Sequence, residues 1–313
     1  MKHFLVLSGE CLKMPIPAPI SVVIPAYKAE SFIEEAIRSV HAQTLKVAEI
    51  IVVADDCTDR TPQIAADLGA IVLEQKRRNM AAGLNLGVSA STQPWIAFLD
   101  ADDFWDADKI ALQWKAIEAC PAAAMVSSDV LTLIDQKVTR RSKRHLRERW
   151  KNLEYVTITD SCHYMETVDG GFLTRFFIAT PSVMLRRDVF SDVGLFDETL
   201  LFGQTLELFA RVLARYPLAF IERPLVYQRI HDRNHTRNFV GYWTSYVSIV
   251  DRMLKNPDQY PNGAGEAHRA HLKGNFHQSE RVVARSKTHS AAAKISTQQS
   301  EPTVSIQNLA AKK

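Results

Sequence analysis

Glycine is scarce in this 313-residue chain, at 12 residues, and none of it forms a phosphate-cradling loop. Neither G-x-G-x-x-G nor G-x-x-x-x-G-K occurs, so a bound nucleotide would have to be held by loop carboxylates and a metal instead. Cysteine is rarer still, with four residues, Cys11, Cys57, Cys120 and Cys162. Their spacing pairs none of them, which argues against a disulfide framework or a zinc site and for reduced thiols in a cytoplasmic setting. No run of about 18 apolar residues exists, so no membrane-spanning helix is expected. The net charge is only +3, too small to point to nucleic acid, and no nucleic-acid partner is expected. No internal repeat is visible.

What is present is the composition of an ordinary globular chain, 46% hydrophobic and 23% charged, long enough for one large domain plus an appendage. Its start is weakly signal-like, but the apolar stretch at residues 4–7 is shorter than the roughly 7 residues of a secretory core. Met14 is an alternative start, and residues 1–18 are treated as an N-terminal extension. Charge is unevenly placed: residues 137–151 carry eight Lys/Arg against one Glu148. Such a stretch is a solvated face or a surface for anionic lipid or a phosphorylated substrate. Beyond about residue 285 the chain is rich in Ala, Ser, Gln and Lys, and a disordered tail is expected.

The first hundred residues alternate strand and helix. Apolar runs at 20–24, 50–53, 70–73 and 95–99 read as buried strands. Between them, Ser31 with Glu34 has capping-box form, and Phe32, Ile33, Ala36, Ile37 and Val40 give a helical stripe. Thr61-Pro62 opens a second helix, Gly69 closes it, and a third covers 80–90. Continuous apolar strands between amphipathic helices indicate an α/β fold with a mostly parallel sheet flanked by helices. Later segments are more mixed. Residues 179–185 read as a loop entering a strand, 193–198 as a turn, 206–215 as a helix, 225–227 as a short strand and 242–254 as an amphipathic helix.

The fourth strand runs straight into carboxylates: Trp95-Ile-Ala-Phe-Leu-Asp-Ala-Asp-Asp103. Asp100 and Asp102, two apart, can point at one ion while Asp103 points elsewhere. Hard oxygen ligands suit Mg²⁺ or Mn²⁺. On this stretch alone, turn and N-cap roles stay equally open. In open parallel sheets, ligands bind beyond the carboxyl ends of the strands. Those ends carry Pro25-Ala-Tyr27, Ala54-Asp-Asp56 and Asp100-Ala-Asp-Asp103, and their convergence favours the metal site.

In this order the segments resemble family 2 glycosyltransferases of the GT-A fold. The matching segments begin with Ser21-Val-Val-Ile-Pro-Ala-Tyr27, Glu34-Glu-Ala-Ile-Arg-Ser-Val40 and Ala42-Gln-Thr44. They continue with Glu49-Ile-Ile-Val-Val-Ala-Asp-Asp-Cys-Thr-Asp-Arg-Thr61 and Ile96-Ala-Phe-Leu-Asp-Ala-Asp-Asp-Phe-Trp105. Val193-Gly-Leu-Phe-Asp-Glu198 and Tyr227-Gln-Arg-Ile-His231 complete the set. The resemblance spans residues 19–235, leaving 236–284 as a helical C-terminal extension. It implies inverting transfer of a sugar from a nucleotide-diphosphate sugar, commonly a UDP-sugar, to an acceptor hydroxyl on a glycan or glycolipid. A role in polysaccharide assembly and peripheral contact with the inner membrane face follow only at family level. Pro25, Ala26 and Tyr27 would line the nucleoside pocket and Asp55 would bind the base. Asp100, Ala101 and Asp102 occupy the metal and diphosphate positions, with Arg229 and His231 as a diphosphate-facing pair.

The sequence also departs from the family pattern. Where members usually carry Glu-Asp, the Asp serving as base, this chain has Gln204-Thr205. Glu207 is the substitute expected from the same helix, with Asp197 or Glu198 behind it. Lys28 stands where Asn is usual, Leu84 where Arg often precedes Asn85, and Ala54-Asp-Asp-Cys-Thr replaces Asp-Asp-Gly-Ser-Thr. A non-catalytic relative that binds nucleotide sugar or a partner without turnover is the alternative. A sugar nucleotidyltransferase would want a Gly-rich basic loop after the first strand, which 25–30 is not.

Overall fold

In the computed structural model, the structure describes residues 17–76, 79–134, 137–139, 154–159, 161–175, 178–232 and 239–274. Most of the basic stretch 137–151, the start at 1–16 and the tail from 285 lie outside them. Strand β1 (Ala18–Ala26) holds the centre of the N-terminal half. Val22, Val23 and Ile24 are all fully buried, as expected of a strand covered on both faces. It pairs in parallel with β2 (Val47–Asp55) and with β4 (Trp95–Phe98), and β2 pairs in parallel with β3 (Ile71–Gln75).

Side chains alternate between two apolar clusters. Ile20, Val22, Ile24, Ala97 and Leu99 pack with helices α1 (Ile33–His41), α2 (Thr61–Asp67) and α4 (Lys109–Ala119). Val23, Ile96 and Phe98 face α3 (Met80–Ala90) and α7 (Gln204–Leu213). Helix α3 lies very close to the sheet at Gly87, where a Cβ would come 2.3 Å from Val23 Cγ1. The capping box expected at Ser31 does not form: the cap position is Phe32, with no side-chain cap bond. The Thr61 hydroxyl instead accepts the Ala29 N–H at 2.9 Å, and Asp59 accepts from Thr61 N.

The second half is built differently. After β5 (Phe104–Trp105) and α4, β6 (Met125–Ile134) carries the short β7 (Lys137–Thr139), and β8 (Val156–Thr159) and β9 (Cys162–Met165) form an edge hairpin. A four-residue helix α5 (Phe172–Arg175), β10 (Met184–Arg186) and α6 (Val189–Val193) follow. Strand β10 lies antiparallel between β4 and β6, so β4 and β6 point the same way. The segment expected as a short strand at 225–227 belongs to a 13-residue strand β11 (Leu218–Ile230), parallel to β6. Its register shifts around Pro224, where a residue without an N–H fits a bulge. Before the bulge β11 pairs with β9; after it, Val226 and Tyr227 pair with β5. This switch carries residues 229–231 to the loop that follows β4. Because α7 leads into the amino end of β11, its own N-terminus lies at the carboxyl edge of the sheet.

Helix α8 (Phe239–Lys255) sends Ile249 and Met253 into a third apolar cluster with Leu200, Ala210, Tyr260 and Ala264. The chain divides into two compact units, residues 1–269 and 270–313. In the second, the described residues 270–274 are helical.

One core residue is an ionisable misfit. Lys109 is fully buried, its Nζ donating to Gln113 Oε1 at 2.6 Å and lying 4.1 Å from the Trp105 ring centroid. Burial holds its ammonium well below the usual lysine range. The unfolded chain therefore binds a proton that the folded chain lacks between that lowered value and about pH 10.4, and stability rises with pH across the window. Lys109→Met removes this slope. Urea unfolding at pH 7 and pH 9.5 is expected to give the variant a smaller gain than the parent, and equal gains refute the assignment.

Candidate nucleotide-sugar site

Three strands end at one edge of the sheet. Residue pairs Ala26–Ala54 and Val23–Phe98 are in register, and Leu99 N donates to Val23 O at 3.1 Å. The loops that follow β1, β2 and β4 therefore emerge together. Those after β1 and β2 are bolted to each other. Lys28 N donates to Cys57 Sγ at 3.3 Å, and Cys57 Sγ lies 3.4 Å from Ala26 O. Glu30 N donates to Asp59, and Arg60 N returns a bond to Glu30. Burial pushes the Cys57 thiol up, and it stays protonated near neutrality. Tyr27 is exposed, with Lys28 Nζ 5.4 Å from its ring centroid. Asp55 ends β2 beside this wall, half-buried.

The loop after β4 brings three carboxylates together. Asp100, Asp102 and Asp103 each offer an oxygen within 4.8 Å of the others. Asp103, expected to point elsewhere, belongs to the cluster: its Oδ1 accepts Arg229 N at 2.9 Å, and its Oδ2 is buried without a partner. Asp100 Oδ1 is likewise shielded and unpartnered. Burial, reinforced by the charge of Asp102, pushes the Asp100 carboxyl up to about 7. Burial and then its two neighbours push Asp103 well above the carboxylate range. Orphaned buried oxygens and like-charge crowding are what a hard divalent cation relieves, so this donor set fits Mg²⁺ or Mn²⁺.

The end of β11 closes over the loop. Arg229 Nη1 donates to Asp102 O at 2.7 Å, and His231 Nε2 lies 3.0 Å from Asp102 Oδ2. The Arg229 guanidinium sits over Phe104 at 4.6 Å and over Phe32 at 5.7 Å, and pairs with Glu35. His231 stacks on Phe32, 4.8 Å between centroids. Phe32 and Glu35 were not singled out for the site by their residue types. Phe32 lies in the apolar stripe of α1 and Glu35 in a matching segment, and only the fold turns them toward β11. Gln43, in another matching segment, is fully buried: it donates to Asp106 O at 2.8 Å and accepts from Ile110 N at 2.9 Å. It thereby joins α1 to the segment between β5 and α4.

The residue expected as base has partners of its own. Glu207 is 3% exposed. Arg211 grips both its oxygens at 2.8 and 2.7 Å, and Tyr260 donates to Oε1 at 2.8 Å. Arg211 also donates to Val193 O and Leu195 O. A carboxylate gripped in this way holds α7 to the neighbouring turn. Asp197 is taken up by Arg252 and by Thr199. Glu198 Oε1 accepts from Asn85 at 3.1 Å, and its backbone carbonyl from Asn79 at 2.7 Å.

The family model described as Glycosyl transferase family 2 matches residues 21–194. An uncharacterized glycosyltransferase of Rickettsia typhi is 26% identical over 240 residues, 75% of this chain and 71% of its own length. The uncharacterized glycosyltransferase EpsJ of Bacillus subtilis is 37% identical over 90 residues, 27% of this chain and 26% of EpsJ. Among solved structures, S. aureus TarS 1-349 in complex with UDP-GlcNAc aligns with a TM-score of 0.58 at 16% identity, over 75% of this chain and 66% of that one. The complex of the same protein with UDP gives 0.56, also at 16% identity, and this chain spans 65% of it. These likenesses show the fold.

The raised Asp100 carboxyl makes the folded chain hold a proton that the unfolded chain has released between about pH 4 and pH 7. That stability is lost as pH rises through about 7. With a chelator present, Asp100→Asn is expected to raise the thermal midpoint at pH 8 by at least about 2 °C, and by less at pH 5. No gain at pH 8 refutes the crowding. Glu207→Gln should cost about 3 kcal/mol in urea unfolding, because it leaves Arg211 buried and unpaired. A loss below about 0.5 kcal/mol, as for an exposed ion pair, refutes the structural role.

Proposed function

The chain belongs to glycosyl transferase family 2, and on that premise we propose that it transfers a sugar from a nucleotide-diphosphate sugar, most simply a UDP-sugar, to an acceptor hydroxyl with inversion. The observation that carries this reading is the meeting of Asp100, Asp102 and Asp103 with Arg229 and His231 at the strand ends. The nucleoside wall Pro25–Tyr27 and Asp55 stand on adjacent strands at the same edge. That TarS was solved with UDP and UDP-GlcNAc supports this class of donor.

In this reading Pro25, Ala26 and Tyr27 hold the nucleoside, and Asp55 accepts a hydrogen bond from the base. Asp100 and Asp102 would hold Mn²⁺ or Mg²⁺, with Ala101 keeping them two residues apart. Held there, such an ion would offset the negative charge that develops on a leaving diphosphate. Arg229, fixed between two aromatic rings and Glu35, keeps the Asp102 backbone in place. His231 orients the Asp102 carboxylate and adds a donor on the same side. The acceptor is a glycan or glycolipid. Among the described residues no helix is long and apolar enough to cross a membrane. The basic stretch 137–151 would provide any peripheral contact with anionic lipid.

A second reading is favoured by one observation. Positions 204–205 carry no carboxylate and Glu207 is engaged by Arg211 and Tyr260, so no base is evident at the start of α7. In that reading the protein binds nucleotide sugar or a partner without turnover.

Calorimetry with UDP and Mn²⁺, followed by a screen of UDP-sugars against glycoside acceptors, tests both. The parent should bind UDP only with the divalent ion, and Asp102→Asn should weaken binding by about tenfold or more. Ion-independent binding unaltered in the variant refutes the metal clamp. Binding without turnover across the screen favours the second reading.

A further inference from the structure

Arg229 has a partner that its role beside Asp102 does not require. Its side chain is largely buried, 16% exposed. The guanidinium lies between two rings, 4.6 Å from the Phe104 centroid and 5.7 Å from that of Phe32. One edge, through Nη1, donates to Asp102 O at 2.7 Å. The other, through Nη2, pairs with Glu35 of α1. Holding the Asp102 backbone takes only the first edge. Along α1 the neighbouring acid behaves differently: Glu34 accepts from Arg38 at 2.9 Å, the ordinary i,i+4 pairing of an exposed helix face. Glu35 pairs across to β11 instead, with a side chain 61% exposed. So exposed a carboxylate gains little stability from an ion pair, and the effect of the contact falls on Arg229.

The carboxylates beside Arg229 give that effect a meaning. Asp103 Oδ1 accepts the backbone N–H of Arg229 at 2.9 Å, and Nη1 already stands on the Asp102 carbonyl. An arginine side chain pivoting at residue 229 therefore has the Asp102 and Asp103 side chains within reach. Asp100 Oδ1 and Asp103 Oδ2 are shielded and lack a donor. A guanidinium is the side chain best shaped to bridge carboxylate oxygens. Released, it would supply the positive charge that the cluster otherwise draws from a divalent ion. The two rings do not prevent this, because contact with a ring face holds a cation near the ring without choosing which acceptors its edges meet. The Glu35 carboxylate, on the second edge, makes that choice.

We propose that Glu35 is a positioning residue for the metal site: by holding Nη2 it keeps the Arg229 guanidinium off the side chains of Asp100, Asp102 and Asp103 and leaves their oxygens open to Mn²⁺ or Mg²⁺. The inference rests on the metal-assisted reading of the site and deepens it. Glu35 touches neither the ion nor the donor and acts only through Arg229. The cation that belongs to the protein and the cation that would be bound are thereby kept at separate places around one loop, the first on its backbone and the second on its side chains.

The test is a double-mutant cycle on the full chain: Glu35→Gln, Arg229→Met and both together, with Glu35→Asp as the variant that keeps the charge. Electron paramagnetic resonance counts free Mn²⁺ during titration, with and without UDP, and thermal midpoints are taken in chelator. Glu35→Gln is expected to weaken Mn²⁺ binding by about fivefold, the upper end for a partly exposed ion pair. It should not lower the midpoint in chelator, because the freed guanidinium takes over the carboxylates. Glu35→Asp should bind Mn²⁺ close to the parent, and Glu35→Gln should have no effect in the Arg229→Met background. Should Arg229→Met fail to fold, Glu35→Gln and Glu35→Asp decide alone. Affinity of Glu35→Gln within about twofold of the parent, an equal loss in Glu35→Asp, or the same loss in the Arg229→Met background overturns the proposal and leaves the metal site standing. A lower midpoint in chelator together with weaker Mn²⁺ binding marks a plain loss of structure and overturns it too. A parent that binds no Mn²⁺ in either condition overturns the metal reading itself, and the proposal with it.

Discussion

Crowding of like charge at the end of a buried strand is the constraint to which the rest of this structure responds. Strand β4 is apolar on both faces and delivers Asp100, Asp102 and Asp103 into one small volume. Three carboxylates that close do not stay ionised together without compensation. The protein compensates partly from within. Arg229 donates its backbone N–H to Asp103 and its guanidinium to the Asp102 carbonyl, and His231 meets the Asp102 carboxylate. The remaining deficit, two shielded oxygens without donors, matches the charge and hardness of a divalent cation.

Delivering Arg229 and His231 takes most of the C-terminal half of the sheet. They lie at the far end of β11, more than 120 residues from the carboxylates they serve. The bulge at Pro224 lets that strand leave β9 and join β5. Antiparallel β10, wedged between β4 and β6, keeps the later parallel strands pointing the same way as the earlier ones. Of the elements that follow, Arg252 of α8 pairs with Asp197 in the turn before α7, and Tyr260 holds Glu207 in its first turn.

How much of this was legible in the sequence differs by region. The four N-terminal strands could be read because continuous apolar runs have few other uses, and the carboxylates stood out because charge at the end of such a run needs a reason. The partners of Glu207 could not be read from a lone acid: Arg211 is one turn away, but Tyr260 is 53 residues on. The full length of β11 was hidden because Glu222, Arg223 and Pro224 break its apolar pattern at the bulge. Phe32 and Glu35 read as ordinary residues of an amphipathic helix. Their link to Arg229 and His231 exists only once two distant segments meet.

Cys57 has a chemical consequence of its own. It stands between the loops after β1 and β2, partly accessible, where an activated thiol would be open to oxidants and alkylating agents. Yet burial and the nearby carboxylates of Asp59 and Asp55 hold it in the protonated form, and a protonated thiol is a poor nucleophile. Its sulfur is further occupied in joining Lys28 N and Ala26 O. The loops after β1 and β2 are thus joined through a sulfur that behaves as packing material and not as a nucleophile.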